Sequence, residues 1–128
     1  MSKVNAAILF QNDFNGSLLN KNKDVLIGYN GLAPYDMLQG ALVACFHATF
    51  LEIVTKKRIV VETTRYLVEG IKREEIPTML NEVKMDIFIK TDAKKEPILK
   101  SFELAAKYCS VYNTIAQVAT ITYDVHFE

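Results

Sequence analysis

Charge of one sign is missing: 15 Lys and Arg offset 15 Asp and Glu across 128 residues. Nucleic-acid binding through bulk basicity needs clustered cations that displace counterions, and no stretch here supplies such a cluster. Cysteine is scarce as well. Cys45 and Cys109 are too few for a disulfide-stapled secreted scaffold. With only His47 and His126 beside them, the four closely spaced ligands of a structural zinc site are lacking. No repeat, low-complexity tract or linker interrupts the chain, so 1–128 reads as one domain. The apolar run Ala6–Phe10 is too short for a signal-peptide core and has no cleavage pattern after it. The cytoplasm is therefore the expected compartment, where thiols stay reduced. Arginine is rarest among the charged residues. Arg58, Arg65 and Arg73 all fall within 16 residues, against twelve Lys spread along the chain.

What is present is a pattern of strands and helices. Lys3–Phe10 reads as a strand with Val4, Ala6, Ile8 and Phe10 on one face. Asn15-Gly16 reads as a turn, and a short strand is expected near Asp24–Gly28. Gly28 and Gly31 then bracket a loop that ends at Pro34. Thirteen of the eighteen residues from Met37 to Val54 are apolar, the exceptions being Gln39, Gly40, His47, Thr49 and Glu52. Such a helix is greasy nearly all round and belongs in an interior. A membrane span is disfavoured because Gln39, His47 and Glu52 interrupt the run.

Ile59–Ile71 carries strand-forming residues. Val83, Met85, Ile87 and Ile89 alternate with charged neighbours, with Phe88 breaking the alternation. Pro97 suits the first turn of a second helix running to about Tyr108, with Ile98, Phe102, Ala105 and Ala106 inward. A short third helix follows Cys109, and a closing strand puts Ala119, Ile121, Tyr123, Val125 and Phe127 inward. Helices do not alternate singly with strands, so the class is α+β with an antiparallel sheet. One sheet and two short helices cannot cover an all-round apolar helix, and a second copy of the chain is the simplest cover.

Taken singly, Cys45 reads as a small hydrophobe within the apolar helix. Cys109 lies just before a helical turn, where unpaired backbone N–H groups favour thiolate, and Ser110 is placed to cap that helix. Two cysteines on two helices are also suited to a reversible disulfide. His47 is two positions from Cys45, about 200° round the helix, and reads as an interior histidine.

The stretch Pro34-Tyr-Asp-Met-Leu-Gln-Gly-Ala-Leu-Val-Ala-Cys45-Phe46 resembles the signature of the osmotically induced protein C / organic hydroperoxide resistance (OsmC/Ohr) family. Cys109-Ser-Val-Tyr-Asn-Thr114 is similar to that family's second motif, Cys-Pro-x-Ser-x-Thr. The likeness runs from about Asp24 to the end of the chain. It implies an intertwined homodimer with central helices, and a thiol peroxidase acting on organic hydroperoxides. Cys45 would be the peroxidatic residue, Cys109 the resolving one, and a small dithiol or dithiol-bearing protein the reductant. No metal or organic cofactor is implied, and neither a nucleic acid nor a membrane is an expected partner. Tyr35 stands where the family has Glu, and its hydroxyl is a candidate auxiliary donor. Asp36 falls in the first helical turn and complements the dipole there. The family's N-terminal Arg has no counterpart before Arg58, and Lys21 and Lys23 read as loop charges. These departures motivate an alternative reading, a dimer that binds an apolar small molecule at its interfacial pocket.

Overall fold

The computed structural model describes residues 1–128 and resolves them into two compact units, 1–40 and 41–128. The first holds an antiparallel sheet in the order β1 (Ala7–Phe10), β2 (Asn15–Leu19) and β3 (Val25–Gly28). The first strand is shorter than expected. It pairs with β2 from Ala7 opposite Leu19 to Phe10 opposite Gly16. The Asn20 N–H then bonds the Asp24 carboxylate at 2.9 Å and turns the chain, which leaves residues 3–6 without a partner strand.

Asn15-Gly16 is a further correction, because it opens β2 and is no turn. The reversal comes earlier, where Asp13 accepts from the Asn15 backbone N–H at 3.2 Å and from its side-chain amide at 3.0 Å. Gly16 is required for space: a Cβ there would strike the Phe10 ring and the Leu9 carbonyl. Positive φ is needed at Gly28 instead, where φ is 100° as β3 ends.

Helix α1 (Pro34–Lys56) begins in the first unit. Asp36 accepts the Ala33 N–H at 2.9 Å, half of a capping box, which accounts for this carboxylate without catalysis. At the other end the Arg58 N–H bonds Thr55 O and the Ile59 N–H bonds Val54 O, at 3.0 and 2.8 Å. This is a Schellman closure with Arg58 at φ 59°, and it delays the next strand to Thr63 rather than Ile59. Within one chain the helix buries a single stripe, Leu42, Phe46, Phe50 and Val54, at four-residue spacing. Leu38, Ala41, Ala44, Ala48 and Leu51 are exposed. A single chain thus covers one face of the helix, as expected of one sheet and two short helices.

The second unit adds β4 (Thr63–Lys72), β5 (Leu80–Lys90), α2 (Lys95–Tyr108), α3 (Ser110–Ala116) and β6 (Thr120–Phe127). The sheet order is β4-β5-β6, with β4 antiparallel to β5 and β6 parallel to β5. A purely antiparallel sheet was expected. The two-helix crossover between β5 and β6 returns the chain to the side on which β5 began, and a parallel pair results. Phe88 lies half-buried on the outer face, stacked on His126 at 4.8 Å and under the Arg65 guanidinium at 4.2 Å.

The inner face of this unit is organised by rings. Phe50 and Phe102 lie parallel at 3.9 Å between centroids. Phe46 meets Phe102, Tyr112, Tyr123 and Tyr66 at 5.4 to 6.3 Å. α1 is long and apolar enough to cross a membrane by length and composition, and its Phe46 and Phe50 pack into this ring cluster.

His47 Nδ1 lies 2.9 Å from the Tyr66 hydroxyl. Burial keeps that phenol protonated well above its ordinary range, and it donates to Nδ1 when the neutral imidazole carries its proton on Nε2. Burial also lowers the His47 pKa from its ordinary 6.5. The unfolded chain therefore takes up this proton first, and stability falls as pH drops below about 6.5. Replacing His47 with Gln removes this component. In urea unfolding between pH 7.5 and 5.5, the stability gap between wild type and variant should shrink on acidification. A gap that stays constant would contradict it.

Candidate active site

Cys45 projects from the middle of α1 and is partly exposed, whereas Cys109 is fully buried in the joint between α2 and α3. Both are free thiols. The joint is tightly held. The Cys109 N–H bonds Ala105 O at 2.8 Å and closes α2. The Asn113 side-chain amide points back to Cys109 O at 2.7 Å, Ala106 O at 2.9 Å and Lys107 O at 3.2 Å. One amide thereby satisfies carbonyls that the end of a helix leaves bare.

Cys109, rather than Ser110, is the N-cap of α3: its sulfur accepts the Tyr112 N–H at 3.4 Å. Ser110 is thereby freed for another contact, and its hydroxyl lies 3.7 Å from Cys45 Sγ. The next donor is decisive. The Val111 backbone N–H is the largest influence lowering the Cys45 pKa from the ordinary 9.0. Burial opposes it, while the Cys109 thiol and the hydroxyl and N–H of Ser110 lower it further. For Cys109 the balance is reversed. Burial dominates and raises its pKa, the Tyr112 N–H works against that, and Cys45 adds to the rise.

The thiolate-stabilising groups at the start of α3 therefore serve the cysteine opposite, on α1. Sequence proximity pointed to Cys109. The correction is spatial, since a helix's first N–H groups project ahead of it and the N-cap side chain folds back over only one of them.

Of the sequence-predicted site residues, Cys45 and Cys109 are brought together at the start of α3, Cys109 as its N-cap and Cys45 with its sulfur 3.7 Å from the Ser110 hydroxyl. Tyr35 is half-buried in the opening turn of α1, within the first unit. Lys21 and Lys23 are exposed in the same unit. Thr49, Val111 and Asn113 were not singled out from sequence. Thr49 lies one helical turn past Cys45, a spacing that shares its face, and its hydroxyl donates to Cys45 O at 2.9 Å. No group of three or more His, Cys, Asp or Glu side chains converges in a way that would hold a metal ion.

A model of the OsmC-like protein family matches residues 27–124. This chain belongs to that family. Its solved relatives share the fold at low identity. A hypothetical protein from Aquifex aeolicus superposes with a TM-score of 0.86 at 20% identity, covering 100% of this chain and 99% of that one. An OsmC-like protein from Mycoplasma pneumoniae gives 0.86 at 18% identity, with 98% and 97% covered. An organic hydroperoxide resistance protein from Elizabethkingia anophelis gives 0.76 at 14% identity, with 99% of each chain covered. Comparison with curated proteins yields no match. At these identities the OsmC-like chain and its relatives are tied by architecture, so its chemistry rests on its own residues.

Proposed function

We propose that this OsmC-like protein is a cysteine-based peroxide reductase acting on organic hydroperoxides. The observation that carries the reading is the thiol pair at the start of α3: Cys45 is partly exposed with the Ser110 hydroxyl 3.7 Å from its sulfur, and Cys109 is fully buried in the adjoining joint. A thiolate is the nucleophile in such chemistry, and access decides which sulfur meets the oxidant. The Cys45 thiolate attacks the terminal oxygen of ROOH. The O–O bond breaks, the sulfur is oxidised to sulfenic acid, and the alkoxide leaves and takes up a proton as ROH. Cys109 then attacks the Cys45 sulfur, forming the disulfide as hydroxide departs and is protonated to water.

A dithiol completes the cycle. Its first thiolate attacks the Cys45 sulfur, because Cys109 is fully buried within its own chain. Cys109 departs as thiolate, and the second thiol of the reductant closes onto the first to release Cys45. Such turnover suits the cytoplasm, where thiols are kept reduced.

The same proposal includes a homodimer. Leu38 and Leu51 are 40% and 42% exposed on the unpacked face of α1, beside Ala41, Ala44 and Ala48, and a second α1 is the partner of matching chemistry. Sedimentation equilibrium should return twice the 14.5 kDa chain mass. A monomer at micromolar concentration would remove the partner subunit from the account.

One equivalent of cumene hydroperoxide should convert the native protein to a Cys45–Cys109 disulfide, read by intact mass as the loss of two hydrogens. Cys45→Ser should abolish peroxide consumption with a dithiol reductant, whereas Cys109→Ser should leave a sulfenic acid that dimedone traps on Cys45. Wild-type thiols that stay free under peroxide would overturn this reading and favour a protein that binds an apolar small molecule.

A further inference from the structure

No step of the cycle above uses the Ser110 hydroxyl, which lies 3.7 Å from Cys45 Sγ, within hydrogen-bonding reach of a sulfur. The two residues are 65 positions apart, so the fold and not the local sequence makes the contact. A serine beside a helix start ordinarily turns its hydroxyl onto the first N–H groups as a cap. Here the Cys109 sulfur does that, accepting the Tyr112 N–H at 3.4 Å. The Ser110 carbonyl takes the Thr114 hydroxyl at 2.9 Å, and its own hydroxyl is left for Cys45. Ser110 is exposed and Cys45 partly exposed, so the contact lies on the side from which a solute arrives. A hydroxyl carries one proton and two acceptor lone pairs. It accepts the S–H of a neutral thiol and donates to a thiolate, and the second bond is the stronger because its acceptor is charged.

We propose that Ser110 is a catalytic residue of the first step, its hydroxyl donating to the Cys45 sulfur and holding it as the thiolate that attacks the peroxide. This rests on the peroxidase reading, and it adds the side chain that sets the pH range in which that step is fast. No bond to Ser110 forms or breaks. The sulfur pair still attacks the terminal oxygen, and the proton that Cys45 loses goes to solvent. Burial and hydrogen bonds lead the influences on Cys45, with the Ser110 hydroxyl among them. The titratable groups nearby do not compete. Burial keeps Cys109 of the α2–α3 joint and Tyr112 of α3 protonated. His47 on α1 faces the Tyr66 hydroxyl of β4 at 2.9 Å, and Glu103 of α2 acts on Tyr123 of β6.

The test is the pH dependence of Cys45 alkylation by iodoacetamide in Cys109→Ser, alone and combined with Ser110→Ala or Ser110→Thr. Serine is a good helix cap, so Cys109→Ser preserves the start of α3, and Ser110→Ala removes no cap. Loss of the hydroxyl should raise the half-ionisation point of Cys45 by about one pH unit, lowering its thiolate fraction about tenfold below both points. The more basic thiolate is about threefold more nucleophilic, since the rate follows roughly half of the basicity change. Ser110→Ala should therefore react about threefold slower below both half-ionisation points and about threefold faster above both, so the profiles cross. Ser110→Thr, which keeps the hydroxyl, should restore the parent profile. Curves that superimpose, that differ by one constant factor at every pH, or that Ser110→Thr fails to restore would overturn the proposal.

A second arm uses the peroxide. Sulfenic acid formation on Cys45 is followed with dimedone in the same variants after rapid mixing with one equivalent of cumene hydroperoxide. The same crossing is expected, and a rate unmoved by Ser110→Ala would overturn the catalytic role. If Cys45 ignores peroxide in every variant, the peroxidase reading fails, and alkylation still decides whether Ser110 holds the thiolate.

Discussion

Phe46 packs against rings from four elements, and the rotation of α1 that this packing enforces decides where Cys45 points. Its ring meets Phe102 of α2, Tyr112 of α3, Tyr66 of β4 and Tyr123 of β6. A ring so enclosed tolerates little rotation of its helix, because a packed interior has few voids to give. The neighbouring residue on α1 is then carried toward the start of α3. Tyr112 belongs to both arrangements: its ring stacks on Phe46 and its N–H bonds Cys109. The hydrophobic core and the thiol pair are thus one construction.

Two neighbouring thiols are given opposite properties by their surroundings. Cys45 is near enough to solvent to meet a substrate and close enough to backbone donors to hold a negative charge. Cys109 pays the desolvation cost of full burial, for which its single N–H partner compensates in part. A pair of equivalent thiols would leave the order of attack undefined. In the proposed cycle that order would follow from Cys45 being partly exposed and Cys109 buried in the α2–α3 joint, whose carbonyls the Asn113 amide holds.

Much of the second unit was legible because its periodicities are clean. Alternation in Val83–Ile89 marked β5, Pro97 marked the start of α2, and Cys109 marked the break before α3. The first unit was harder to read. Asn15-Gly16 has the composition of a turn, while the glycine serves the Phe10 ring across the strand pair, a contact invisible in the local pattern. Strand direction was equally hidden, since β6 looks the same whether it runs parallel or antiparallel to β5. The α1 helix read as apolar on all sides, and its residue types do not distinguish the stripe facing this chain's core from the face left open. At the site, the resemblance of two motifs singled out Cys45 and Cys109. The donors could not be found that way: Val111 acts through its backbone, so its side chain carries no signal.

The claim on which the account turns is the order of ionisation of the two thiols. It is measured by ultraviolet thiolate absorbance against pH, with Cys45 alone in Cys109→Ala and Cys109 alone in Cys45→Ala. Half-ionisation of Cys45 below the ordinary thiol value of 9.0, and of Cys109 above it, is the predicted result. The reverse order, or two indistinguishable curves, would contradict the account.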